Sequence, residues 1–389
     1  MKNLFAILTI TLFVATGCEV NKQSNNGLPT VDVTAEYPKK ELILQDIMDV
    51  EYIPLEYNDE FVTMGWLQAV GKKVIIVRNR NRGSDGDIFI FDRNGKGLRK
   101  INRLGGSGEE YTFLLGVTLD EDNDEIFVND HYKGKICVYD LFGNFKRSFK
   151  HKEGSMYNME VYNFDRDNLI CRDDASGEDR LGNRNKFLVI SKQDGSITKE
   201  IEIPYKEKLS SMIFSDNAVM GIRNRTLVPQ GSNSWTLMEV SSDMIYKFSS
   251  DFSMTPLIVR TPSIQSMNPA VFLYPAVITD RYYFMQTVRA EWDWARQTGH
   301  TRVNLVYDKQ EDAIFEYSIF NADYINKYSI SMTSEIPFGD DEIAAVQIIE
   351  ASALVESYHL GELKGELEDI AATLDEESNP VIMLIKHKK

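Results

Sequence analysis

From Leu42 to about Ser329 the chain repeats one theme: short runs of Ile, Val, Phe and Tyr separated by turns of Asp, Asn and Gly. That pattern predicts strands and hairpins. The best internal match sets "IFIFDRNGKGLRKI" (88–101) against "ICVYDLFGNFKRSF" (136–149), so that Asp92 meets Asp140 and Gly95 meets Gly143 at an offset of 48 residues. A weaker copy, "FLVISKQDGSITKEI" (187–201), places Gly195 another 52 residues on. Each copy predicts a strand, a tight turn ending in glycine, and a second strand, the glycine supplying positive φ. A further strand precedes two copies, "KVIIVRNR" (73–80) and "EIFVNDHY" (125–132). A period of this length with several strands per repeat predicts the blades of a β-propeller, small sheets that bury their faces only by stacking around an axis.

Downstream, "DMIYKFSSDFSMTPLIV" (243–259) and "RVNLVYDKQEDAIFEYSIF" (302–320) read as the outer strands of two more blades. Ring closure then needs a sixth blade, shared between "VEYIPLEY" (50–57) and strands after Tyr324. The fold class expected is all-β, a six-bladed β-propeller over residues 42–350, with a C-terminal helix and closing strand over 351–389. The helix follows from Leu360, Leu363, Leu367, Ile370 and Leu374, which recur at steps of three and four. Asn379-Pro380 ends it, and "VIMLIKHK" (381–388) is the final strand.

The N-terminus breaks the pattern. Met1-Lys2-Asn3, the apolar run Leu4 to Ala15 and then Thr16-Gly17-Cys18 describe a secretory signal over residues 1–17. The run is shorter than the roughly 20 residues that span a bilayer. Cys18 directly after Gly17 looks like a bacterial lipobox, in which the cysteine is lipidated and becomes the new N-terminus. Ala15 stands where leucine is usual, so ordinary secretion remains the alternative. Residues 18–41 are then the lipidated end and a polar tether, and Glu19 after the cysteine favours the outer membrane.

Composition narrows the partners. A net charge of −16 without a long basic run excludes nucleic acid and attraction to anionic lipid. The chain is expected to be a monomer. Cys137 and Cys171 are the other two cysteines; they read as buried strand residues, with a single bridge between them as the alternative.

"INRLGGSGEEY" (101–111) resembles a phosphate cradle only superficially. A P-loop needs Lys and Ser or Thr after its glycines, where this chain has Glu109 and Glu110, which repel phosphate. A dinucleotide fingerprint lies between strand and helix, and here strands flank both sides. The stretch is read as the crossover from the outer strand of one blade to the inner strand of the next.

Residues 50–57, 88–101, "GGSGEEY", "EIFVND" and 136–149 together resemble the six-bladed β-propeller lipoproteins of Bacteroidetes-type bacteria, a family related in pattern to NHL-repeat propellers. The family's crossover carries a proline that this chain lacks. Asp243, Ile245, Tyr246 and Pro256 match a second family motif, and "LKGELEDIAATLDEESNPVIMLIKHK" is similar to the family's ending. The resemblance implies fold and envelope location. It lends no catalytic residues.

Motifs that carry chemistry are sparse. The histidines, at positions 131, 151, 300, 359 and 387, form no HExxH motif, and there is no Gly-x-Ser-x-Gly elbow. No metal ligands or catalytic residues are assigned. Asp120–Glu125 is read as a solvated acidic turn with calcium as the alternative, since an EF-hand would need Gly at 125 and Glu at 131. The better candidates are aromatic. "AEWDWARQTGHTR" (290–302) offers Trp292, Trp294 and Arg296, and "GIRNRTLVPQGSNSW" (221–235) offers Arg223, Arg225 and Trp235. Trp and Arg in loops suit sugar stacking or protein hot spots; packing between blades is the competing reading. Three functions follow: a lipid-anchored, non-enzymatic binding or scaffold protein for a protein partner or glycan; a propeller enzyme, a metal-assisted hydrolase or lyase with acidic, Asn or His residues converging on the axis; or a purely structural envelope role, which would show no exposed aromatic patch.

Overall fold

The computed structural model describes residues 24–25, 27–79, 85–153, 155–175, 186–215, 218–222, 224–231, 233–332 and 340–388. Cys18, the signal stretch and Arg223 lie outside the described residues.

Six sheets succeed one another around a ring. Blade 1 comprises Trp66–Val70, Val74–Arg78, Asp87–Asp92 and Gly97–Asn102. Blade 2 comprises Leu114–Asp120, Glu125–Asp130, Lys135–Asp140 and Phe145–Lys150. Blade 3 comprises Ser155–Asn163, Asn168–Ala175, Lys186–Ser191 and Ile197–Ile201. Blade 4 is built on Leu227–Pro229, Ser234–Met238, Met244–Ser249 and Met254–Thr261, and blade 5 on Val271–Ile278, Tyr282–Arg289, Arg302–Asp308 and Ala313–Phe320. In each, neighbouring strands are antiparallel and follow chain order, as the repeat predicted.

Blade 6 closes the ring with both ends of the chain. Ile343–Ile349 pairs with Val381–His387, and Val381–His387 pairs with Met48–Pro54. The N-terminal stretch around "VEYIPLEY" thus completes the sixth blade, as expected.

The middle strands show why the repeat is so apolar. In Val74–Arg78, Ile75 and Val77 pack toward blade 6, while Val74 and Ile76 pack toward blade 2. Side chains alternate across a strand, so a strand with sheets on both sides needs apolar residues at every position. The described core accordingly divides into six apolar layers, one at each junction between blades. Cys137 lies in the blade 1–2 layer and Cys171 in the blade 2–3 layer. Both thiols are free, because neighbouring layers are separated by a sheet.

The repeated glycine meets two demands. Gly95, Gly143 and Gly195 have φ of 81°, 83° and 73°. Each also packs against the preceding blade: an added Cβ would come within 2.0 Å of the Pro54 carbonyl oxygen at Gly95, 3.0 Å of Ile101 at Gly143 and 2.5 Å of Phe149 at Gly195. The turns are held from inside by Asp92 and Asp140, whose Oδ1 atoms accept two backbone amides each at 2.8–3.0 Å.

Three expectations change. The final strand is not packed on a propeller that ends at residue 350: Val381–His387 lies inside blade 6, between Ile343–Ile349 and Met48–Pro54. Residues 18–41 are not all tether. Leu28–Asp32 pairs in parallel with the outer strand of blade 4, and Lys39–Ile43 pairs in parallel with the outer strand of blade 5. These pairings cover strand edges that would otherwise offer unpaired backbone groups. Lys40 Nζ, 2.9 Å from buried Asp308, ties the strap down. The C-terminal helix is in fact two, Ala351–His359 and Gly365–Ala371, broken where Gly361 and Gly365 take φ of 67° and 64°. Leu363 and Leu367 are buried as the periodicity required, but Leu360, at the end of the first helix, is exposed.

The "GGSGEEY" stretch is the blade 1 to blade 2 crossover. Tyr111 is fully buried and its hydroxyl donates to the Gly86 carbonyl at 2.5 Å, while Glu110 accepts the Ser107 amide at 2.8 Å. Backbone hydrogen bonds draw the Glu110 carboxyl below its usual range. Lys135 and Tyr139 of blade 2 donate to carbonyls of residues 108–110.

Candidate functional site

In a four-stranded antiparallel blade, the loop between second and third strands emerges on the same face as the crossover to the next blade. That face, the crossover face, collects the described loops 131–134, 202–215, 218–222, 224–226, 239–243, 262–270 and 290–301, and the hairpins that project beyond the blades.

The first projection is the loop of blade 5. Trp292–Asp293 pairs with Thr298–Gly299 in a small two-stranded hairpin. Gly299 lies so close to Trp292 that an added Cβ would come within 2.7 Å of its Cα. Trp292 and Trp294 meet edge to face, ring centroids 6.4 Å apart, and His300 lies 5.2 Å from Trp292. Both tryptophans are half-buried. Asp293 Oδ1 accepts the amides of Ala295 and Arg296 at 3.0 Å, and the Arg296 side chain is 82% exposed. Both ring nitrogens of His300 are shielded from solvent and without a hydrogen-bond partner. Trp292, Trp294 and Arg296 are therefore brought together, with aromatic faces and a cation at the rim.

The second aromatic stretch divides. Trp235 is 1% exposed in the blade 3–4 layer, its ring 4.6 Å from that of Phe164. It lies on a strand between two sheets, has no face to offer a ligand, and belongs to the core. Arg225 donates to the Tyr162 hydroxyl and faces its ring. Its neighbour Asn224 accepts from Arg302 Nη1 at 2.8 Å, so the two stretches meet at the base of the blade 5 hairpin.

A cleft of about 510 Å3 opens on blade 4, between Tyr205 and Lys206 on one side and Ser242, Asp243 and Gln265 on the other. Asp243 Oδ1 accepts the Ile264 amide at 2.6 Å and pairs with Arg260 at 3.2 Å. Burial lowers the Arg260 pKa from its ordinary value, and Asp243 works against that shift. The cleft's residues come from three separate loops, and no local pattern joins them.

The polar residues nearest the axis tie blades to one another. Gln68 Oε1 accepts the Val117 amide at 3.1 Å, Thr118 donates to the Val161 carbonyl at 2.7 Å, and Glu160 accepts the Thr226 amide at 2.7 Å. Among the described residues no three His, Cys, Asp or Glu converge as metal ligands would. In the acidic turn, Glu121 accepts the amides of Lys72, Lys73 and Val74 of blade 1 at 2.6–2.9 Å, and Glu125 pairs with Arg147 and Lys146. The turn is an inter-blade clasp in which only Asp122 and Asp124 remain exposed.

The fold and these projections define a six-bladed propeller whose crossover face carries the blade 5 hairpin and the blade 4 cleft. The chain belongs to the family described as "Domain of unknown function (DUF4934)", whose model matches residues 28–386. Its fold is similar to that of a "putative exported protein" of Bacteroides fragilis, at 13% identity and a TM-score of 0.60, covering 90% of this chain and 99% of that one. A member of the DUF4221 family from Bacteroides vulgatus matches at 12% identity and a TM-score of 0.47, covering 88% and 98%. No curated protein matches the chain.

Proposed function

We propose that this protein is a lipid-anchored propeller of the bacterial cell envelope that binds a protein partner or glycan through its crossover face, without catalysing a reaction. The observation that carries the reading is the blade 5 hairpin. It sets Trp292 and Trp294 edge to face beside an exposed Arg296, clear of the layers between blades. Aromatic pairs of this kind stack on sugar rings and anchor protein interfaces. The anchor rests on Gly17-Cys18 after the short apolar run, and the exported description of the B. fragilis protein is in keeping with it. Glu19 favours the outer membrane as the destination, and the protein acts as a monomer.

The test is thermal unfolding of the chain beginning after Cys18, scanned against glycans, divalent metals and EDTA. A bound ligand at about 100 times its Kd stabilises by roughly 2.7 kcal/mol. Stabilisation by one glycan class that Trp292→Ala and Trp294→Ala abolish supports the reading. Stabilisation by calcium that EDTA reverses, with both tryptophan variants unaffected, overturns it in favour of the metal-assisted enzyme.

A further inference from the structure

The crossover from blade 3 to blade 4 carries a second projection, Met212–Phe214 paired with Val219–Gly221. Its register sets Met212 opposite Gly221, Ile213 opposite Met220 and Phe214 opposite Val219. Side chains alternate along a strand, so Met212, Phe214 and Val219 share one face and Ile213 and Met220 the other. The shared face is bare: Met212 is 50% exposed, Phe214 54% and Val219 56%. The base of the hairpin is fixed. Ile222 belongs to the blade 4–5 layer, the Leu209 amide donates to Ser241 Oγ at 2.8 Å, and Lys208 pairs with Glu239 at 3.1 Å. A rigidly mounted apolar ribbon facing water marks a contact surface.

The start of the described chain lies at the same blade. Leu28–Asp32 runs beside Val259–Thr261 toward the crossover face, and Ser24–Asn25 folds back antiparallel to it through Gly27, at φ of 82°. Followed from Asn25 to Ser24, the chain points toward the crossover end of blade 4. Val259, the partner of Thr30, lines the cleft whose opposite wall, Pro204–Lys206, leads into the hairpin base. Strap, cleft and hairpin are thus contiguous. Five residues, 19–23, lie between Cys18 and Ser24, so the six Cα-to-Cα steps reach at most about 20 Å when fully extended.

We infer that the Met212, Phe214 and Val219 face rests in the bilayer interface beside the lipid anchor. The propeller is thereby held with the crossover edge of blade 4 against the membrane. This rests on the lipid-anchor reading of Cys18 and deepens it, because the blade 5 hairpin on the same face then meets its ligand close to the lipid surface. A charge of −16 disfavours adhesion through basic residues to anionic lipid. The contact is apolar and insensitive to salt.

The experiment uses the full, lipidated chain in phosphatidylcholine–phosphatidylethanolamine vesicles. An environment-sensitive fluorophore is placed at Phe214→Cys or, as a control, at Leu98→Cys on the outer strand of blade 1, where Leu98 is 44% exposed. Cys137 and Cys171 are buried and stay unlabelled. The expected result is quenching by spin-labelled lipid several-fold stronger at position 214 than at 98, unchanged in high salt. Equal, weak quenching at both positions in a chain that floats with the vesicles overturns the lipid contact and leaves the anchor standing. Failure to float overturns both. Shielding of position 214 only after envelope proteins are added assigns the face to a protein partner and also overturns the proposal.

Discussion

The ammonium of Lys192 lies 2.5 Å from Oδ2 of Asp120, with the two side chains 2% and 0% exposed at the junction of blades 2 and 3. Lys192 also donates to the carbonyls of Asp165 and Arg166, at 2.6 and 3.3 Å. Removing one member of such a pair strands the other charge without water, at a cost of about 3–5 kcal/mol. Lys192→Met is expected to lose that much in denaturant unfolding. Lys192→Met combined with Asp120→Asn should recover a large part of it, because no charge is then left buried. A loss under about 1 kcal/mol in the single variant would mean that water reaches the pair.

The repeated glycines offer a graded test. Alanine at Gly361, φ 67° with no neighbour near its missing Cβ, should cost about 1–2 kcal/mol for the left-handed backbone alone. Alanine at Gly143 must also displace the Ile101 side chain, and at Gly95 it meets the Pro54 backbone oxygen, which has no rotamer to change. The expected order of destabilisation is Gly95, then Gly143, then Gly361. Equal losses at all three would show that backbone conformation, and not the approach of blades, sets the requirement.

His151 couples stability to pH. Burial lowers its pKa to about 4, helped by the neighbouring His131, while Asp130 pulls the other way. Its Nε2 lies 3.0 Å from Asn129 Oδ1, and Nδ1 faces the Tyr157 amide, so the neutral ring fits the site. The folded pKa lies below the unfolded value near 6.5. The contribution is complete above that value and is lost as pH falls toward 4, to a total of about 3 kcal/mol. Urea unfolding between pH 7 and 4 should show His151→Gln to be less stable than wild type at pH 7 and less sensitive to the descent. Parallel curves would remove His151 from the acid response.

Burial raises the pKa of both described thiols, Cys171 most strongly. A thiol reagent that modifies thiolates should leave Cys137 and Cys171 untouched in the folded chain and react with both after unfolding in denaturant. Reaction of either in the folded state would show that its layer opens locally.

The sequence by itself determined the number and order of blades and their turns, while the place of the final strand inside blade 6 came from the tertiary structure. Blades and turns are repeated local patterns, and stacked blades make the same demand on each copy: apolar residues on both faces, an Asp or Ser and a Gly at the turn. It also marked Trp292, Trp294 and Arg296 as a unit, because the hairpin that joins them is local. Only the tertiary structure decided the rest. Trp235 is as aromatic as Trp292, yet it falls between two sheets while Trp292 stands clear of them, and that difference lies in the neighbouring blade. The acidic run at Asp120–Glu125 reads as solvated, but the flanking blades supply Lys192 and the amides of residues 72–74, and the outer strand of its own blade supplies Arg147. The strap over Leu28–Ile43 pairs with strands more than 200 residues away, and the blade 4 cleft assembles three distant loops. Charge partners and clefts of this kind depend on which blades become neighbours, and that is fixed by the closure of the ring.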